Sequence, residues 1–158
     1  MPESAAARSG SRAFPPARRT DPDALPWTPL AEGLSFKPLR FLSEDRGWMA
    51  LLRLEPGTVI PPHRHTGELH ALNIECLRQL VTGEILGAGG YVYEPAGNID
   101  SWAAVGDIPL VVLIVVSGAV EYLDPDGIVL IRATASSQEA AYRDRCAALG
   151  VPPLDLTD

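Results

Sequence analysis

The sequence predicts an all-β fold, a sandwich or barrel of short strands, followed by one C-terminal helix. Two observations carry that expectation. From Trp48 to Ala133, apolar runs of strand length alternate with turn signals at close intervals. Helix-forming composition concentrates only after Ser136, where Ala140 to Leu149 runs into Gly150 and Val-Pro-Pro.

The elements follow in order. Residues 1–25 mix Ala, Ser, Gly, Arg and Pro with few large apolar groups, and read as a flexible N-terminal extension. Residues 26–135 read as the β-body, opening with Trp27, Leu30, Phe36, Leu39 and Phe41 as core-type residues. Trp48–Leu54 ends at Glu-Pro-Gly, Thr58–His65 at Thr-Gly, and Glu68–Leu80 near Thr82-Gly83. Tyr91–Glu94 ends at Pro-Ala-Gly-Asn, Ile99–Val105 at Gly-Asp, and Leu110–Val116 at Ser-Gly. Ala119–Leu123 ends at Asp-Pro-Asp-Gly, and Ile128–Ala133 closes the series. Residues 136–158 read as a helix and tail, and no linker splits residues 27–150.

At 158 residues the chain has room for one domain with a hydrophobic core. Its formal charge of −7, with four arginines concentrated before residue 20, excludes the basic stripe that a nucleic-acid surface needs. The longest apolar run, Leu110 to Val116, is too short for a membrane span. Cys76 and Cys146 read as reduced thiols, and with no apolar signal segment at the start the expected location is cytoplasmic. Neither a nucleophile elbow nor a P-loop is present; Gly87-Ala88-Gly89-Gly90 fits a turn and lacks the helix that phosphate binding requires.

All three histidines fall within eight residues, His63-Arg64-His65-Thr66-Gly67-Glu68-Leu69-His70. Strand alternation puts His63 and His65 on one face, and Glu68, His70, Leu72, Ile74 and Cys76 on one face of the next strand. Imidazoles from two neighbouring strands aimed at one spot make a site for a first-row metal ion. Histidines exposed in a surface loop are the alternative. Their clustering beside two apolar strands favours the metal site, with His63, His65 and His70 as ligands. Glu68 is a ligand, a supporting base beside the ligands, or a solvent-facing strand end. Trp102 shares a face with Asp100 and is expected to look inward, lining a small-molecule pocket with Met49, Leu72 and Tyr93. Of the pairs Tyr91/Tyr93 and Val92/Glu94, parity alone leaves open which points inward.

At these residues the chain resembles the cupin superfamily. The first cupin motif, G-x5-H-x-H-x(3,4)-E-x6-G, is matched by Gly57, His63 and His65, with His70 where a glutamate is usual. The second, G-x5-P-x-G-x2-H-x3-N, is matched by Gly89, Pro95 and Gly97, with Asp100 in place of the histidine and Ala104 in place of the asparagine. The resemblance implies a double-stranded β-helix, a jelly-roll barrel, holding one divalent ion on three histidines and a carboxylate. His63, His65, His70 and Asp100 supply that set with the two ligand types exchanged between strands. Asp100 would bind directly or through water, or its substitution for histidine marks weakened metal binding.

Within the cupins, the chain resembles the 2,4'-dihydroxyacetophenone dioxygenase group. The resemblance rests on Phe36-Lys37-Pro38-Leu39, the run His63 to His70, Tyr91 to Gly97, Glu121-Tyr122-Leu123-Asp124 and a final helix with Tyr142-Arg143. It implies a non-haem iron dioxygenase that cleaves a C–C bond next to a ketone in a small aromatic or β-dicarbonyl substrate. Fe(II) is the favoured ion, with zinc, nickel or manganese as alternatives. Two other readings stay open: a non-catalytic cupin that binds or senses a small ligand or metal, and a metal-dependent isomerase or hydrolase. The expected partner is a small organic molecule. A homo-oligomer, dimer or tetramer, is expected by fold analogy, with the segment from Trp27 supplying an extra strand.

Overall fold

The computed structural model describes residues 14–158. The described chain forms β1 (Thr28–Ala31), β2 (Leu34–Leu42), β3 (Gly47–Leu54), β4 (Val59–His65), β5 (Leu69–Glu75) and β6 (Arg78–Gln79). It continues with β7 (Ile85–Leu86), β8 (Tyr91–Glu94), β9 (Ile99–Ala104), β10 (Leu110–Ser117), β11 (Val120–Leu123), β12 (Val129–Ala133) and the helix α1 (Ala135–Leu149). Among the described residues, no helix is long and apolar enough to cross a membrane.

The strands make two six-stranded antiparallel sheets. One has the order β1-β2-β3-β10-β5-β8, the other β12-β11-β4-β9-β6-β7. They pack face to face, and the closed jelly-roll barrel expected from the sequence does not form. Among the described residues, no ladder joins one sheet to the other, and β1, β8, β12 and β7 each keep an unpaired edge. Closure demands matched tilt and stagger at the joining edges. Here β7 is only two residues long, and β1 carries Pro29 and a register shift that spoil it as a pairing edge.

Alternation fixes which face of each strand is buried. On β10, Leu110, Val112, Ile114 and Val116 turn inward, against Leu69 and Ala71 of β5 and Trp48 and Ala50 of β3. On the other sheet, Ile60, His63 and His65 of β4 and Asp100, Trp102 and Ala104 of β9 face the interior. Between Ile60 and His63 the ladder slips, because Pro61 and Pro62 cannot donate to it.

The segment from Trp27 adds β1 to its own chain's sheet, paired to β2. Residues 1–13 of the expected extension lie outside the described residues. Just ahead of β1, residues 18–25 lie against the body: Arg18 donates to the Thr157 carbonyl (2.8 Å), Thr20 to the Leu39 carbonyl (3.1 Å), and Leu25 is buried.

The helix starts at a capping box in which Thr134 and Ser137 satisfy each other's backbone N–H groups. It stops at Gly150, whose φ of 68° is the left-handed conformation glycine tolerates best. Ala135, Tyr142 and Cys146 are its buried positions, and α1 packs on β1 and β2. The tail then runs back to pair Thr157 with Phe41 and bury Leu156.

Candidate functional site

Between the sheets lies a cavity of about 390 Å³ with apolar walls that include Leu34, Trp48, Leu52, Leu69, Ile114 and Val116. Its polar end is made by His63, His65, Arg78, Glu94 and Trp102. Leu30, Ala31 and Glu32 beside β1, and Leu130, Ile131 and Ala133 on β12, form part of its lining near the open sheet edges.

His63 and His65 are 3% and 2% exposed, with ring centroids 5.0 Å apart in an edge-on arrangement. His63 Nδ1 lies 2.8 Å from the Pro61 carbonyl. A carbonyl only accepts, so Nδ1 carries the proton and Nε2 keeps its lone pair. Neither nitrogen of His65 has a hydrogen-bond partner. Burial, and then the neighbouring His63, push the His65 imidazole down to about 4, so it is neutral near pH 7. Burial also lowers His63.

Asp100 sits opposite His63 in the β4–β9 ladder and is buried. Its Oδ2 lies 3.8 Å from Nη2 of Arg78, which is 1% exposed and rests over the Trp102 ring, 4.2 Å from its centroid. Nε and Nη1 of Arg78 have no partner. Glu94, at the end of β8, accepts from Asn98 (2.8 Å) through Oε1 and holds Oε2 3.5 Å from His65 Nε2. That contact is not an ion pair near neutral pH, because His65 is uncharged there. Burial, and then the neighbouring Asp100, raise the Glu94 carboxyl to about 7.

His70 is not part of this group. It lies on the outer face of β5, its Nδ1 2.6 Å from the Tyr91 hydroxyl and its ring beside Tyr93. Glu68 is exposed there too, 3.5 Å from His70 Nε2. The reason is the crossover at Thr66-Gly67-Glu68, which carries the chain from one sheet to the other and leaves Leu69 and Ala71 as the inward residues. Leu72 and Tyr93 are likewise outward, and Met49 is half-buried on the outward side of β3, away from the cavity lining. Of the expected pocket residues, Trp102 lines the cavity. Between Val92/Glu94 and Tyr91/Tyr93, the first pair points inward.

Arg78, Trp48 and Tyr122 also belong to the cavity, and sequence reasoning passed over them. Arg78 was concealed because Cys76 adopts φ 68°, a turn conformation that breaks the parity count from β5 into β6. For Trp48 and Tyr122 the available signal was strand parity beside the histidine strand, since Tyr122 pairs with His63 across β11–β4.

Among the described residues, no group of three or more His, Cys, Asp or Glu side chains is arranged to hold a metal ion. In kind, however, the donors fit a first-row divalent ion. Both ring nitrogens of neutral His65 are unpartnered and Nε2 of neutral His63 keeps its lone pair, on the same inward face as Asp100, with the Glu94 carboxyl on the facing sheet. His63, His65 and Asp100 are therefore the residues that could hold one.

Residues 16–121 match the family model described as the ChrR cupin-like domain. No curated protein matches the sequence significantly. Among solved structures, an RmlC-like cupin from Ralstonia eutropha JMP134 superposes with a TM-score of 0.81 at 22% identity, over 87% of this chain and 92% of that one. A second R. eutropha JMP134 protein, with a cupin-like fold and unknown function, gives 0.73 at 22% identity, over 80% of each chain. An acetylacetone dioxygenase from Acinetobacter johnsonii gives 0.71 at 14% identity, over 85% of this chain and 95% of that one. At these identities the likeness is one of fold.

Proposed function

Because the chain belongs to the ChrR cupin-like domain family, we propose that the cavity between its sheets is the active site of a metal-dependent dioxygenase-type cupin. Its substrate is a small, largely apolar ketone or β-dicarbonyl compound, cleaved at a C–C bond next to the carbonyl. One divalent ion, Fe(II) favoured, would be held by His63, His65 and Asp100. The observation that carries this reading is a pair of buried imidazoles, His65 with both nitrogens unpartnered and His63 with Nδ1 engaged by Pro61 and the lone pair left on Nε2, at the polar end of an otherwise apolar cavity. The fold shared with the A. johnsonii acetylacetone dioxygenase agrees with the reaction class.

An ion held by these two histidines and one carboxylate would supply a redox-active Lewis acid for the substrate oxygens. The protein's own groups do the rest. Pro61 fixes the His63 ring through Nδ1. Arg78 offers Nε and Nη1 to an electron-rich substrate oxygen and offsets the two carboxylates. Glu94 Oε2, unpartnered and facing the cavity, is placed to accept a proton from a carbon between carbonyls. The apolar walls exclude water from the reacting end.

Anaerobic loading with Fe(II), followed by oxygen-electrode assays against aryl ketones and β-diketones, tests the reading. It expects oxygen uptake that depends on both iron and substrate. Turnover that survives rigorous metal removal would overturn it.

One observation favours a second reading, a small-ligand-binding cupin without turnover. Arg78 Nη2 lies 3.8 Å from Asp100 Oδ2 and offsets the charge of that carboxylate from within the protein. In that case apolar ketones or carboxylates raise the melting temperature of metal-free protein and no oxygen is consumed.

A further inference from the structure

The guanidinium of Arg78 is buried, and neither its Nε nor its Nη1 makes a hydrogen bond. Its Nη2 meets Asp100 Oδ2 only at 3.8 Å, beyond hydrogen-bond length. Glu94 does not close on it either, since Oε1 takes the Asn98 amide at 2.8 Å and Oε2 lies 3.5 Å from His65 Nε2. The backbone beneath this side chain is fixed, because Arg78 pairs with Ala104 of β9 on one side and Leu86 of β7 on the other. A buried guanidinium without hydrogen bonds costs free energy until a ligand supplies the acceptors.

The shape and charge of the group select that ligand. The Trp102 ring lies over the guanidinium, 4.2 Å from its centre, and leaves the edges for hydrogen bonding. Along an edge two N–H groups run parallel and match the two oxygens of a carboxylate. Arg78 is the sole Lys or Arg among the described residues that line the cavity. One positive charge suits a monoanion, and not a phosphate monoester with about two negative charges. An ion on His63, His65 and Asp100 would draw on the charge of Asp100 and leave Arg78 to the ligand. From these observations we propose that Arg78 anchors a carboxylate, so that the substrate is an oxo acid with its ketone toward the two histidines and its acid on the guanidinium. The proposal rests on the cavity being the active site, and narrows the substrate class given above. The apolar remainder of the acid lies against Leu34, Leu52, Leu69 and Ile114.

Calorimetric titration of the full chain, with equimolar Zn(II) so that no oxygen chemistry follows, compares 4-methyl-2-oxopentanoate with its neutral methyl ester. The acid is expected to bind at least about 10-fold more tightly than the ester, the scale of a hydrogen bond to a charged group. Arg78→Met is expected to abolish that preference, and Arg78→Lys, which keeps the charge but loses the fork, to keep only part of it. No binding of the acid, equal affinities in the wild type, or a preference that both variants retain in full each overturn the proposal. If Arg78→Met does not fold, Arg78→Lys decides alone. Binding requires no turnover, so the outcome is separate from that of the oxygen assay. Oxygen uptake with neutral β-diketones and no preference for the acid sinks the carboxylate anchor alone. Arg78-dependent binding of the acid without oxygen uptake sinks the dioxygenase reading alone.

Discussion

His63 and Asp100 face each other across the β4–β9 ladder, one imidazole opposite one carboxylate, both buried. That relationship decides how Asp100 is read. It stands on the same inward face as the histidine pair, and its other neighbour is the guanidinium of Arg78.

Removing the carboxylate is therefore expected to act twice. Asp100→Ala weakens retention of Fe(II) by at least about 10-fold, the scale on which even supporting groups matter at metal sites. It also leaves Arg78 with Glu94 as its remaining facing carboxylate, and costs about 3–5 kcal/mol as a broken buried pair. Asp100→His restores iron retention without restoring that stability. Urea denaturation and iron analysis on the same samples separate the two effects.

His70→Ala is expected to leave iron retention unchanged and to alter stability by less than about 1 kcal/mol, because its ring is on the outer face with Tyr91 and Glu68. His63→Ala is expected to abolish retention. Equal losses in the two variants would place His70 back in the site.

Metal-free protein is expected to show opposing pH dependences from two neighbouring groups. His65 drops from 6.5 to about 4 in the fold, so the unfolded chain binds more protons between those values, and stability falls as pH is lowered from 6.5 to 4. Glu94 rises from 4.5 to about 7, so the folded chain binds more protons there, and stability falls as pH is raised from 4.5 to 7. Each shift is worth up to about 3 kcal/mol. The two contributions offset each other between 4.5 and 6.5. Glu94→Gln removes one side and is expected to turn the flat region into a rise with pH, read by urea unfolding at each pH.

Trp102→Ala removes the ring beneath Arg78 and a wall of the cavity. The expected cost is about 3–5 kcal/mol, as for other buried aromatics cut to alanine. An apolar ligand that fills the gap is expected to recover part of it, seen as a larger ligand-induced rise in melting temperature than in the wild type.

Local pattern carried much of this fold. The turn residues between runs, the shared face of His63 and His65, and the stop at Gly150 all depend on neighbours in sequence. What stayed illegible depends on how the two sheets meet. Three residues, Thr66 to Glu68, carry the chain between sheets and set the parity that sends His70 outward; spacing alone leaves that count undetermined. Arg78 is hidden by the turn at Cys76. Ile128 to Ile131 has the composition of a buried strand and yet forms an exposed edge. Closure into a barrel depended on edge-to-edge pairing, and neither turn spacing nor apolar pattern encodes it.

The most direct measurement is the iron content of anaerobically loaded, desalted protein beside the His63→Ala/His65→Ala double variant. The account predicts close to one ion per chain in the wild type and none above background in the variant. Equal iron in both proteins, or none in either, would contradict it.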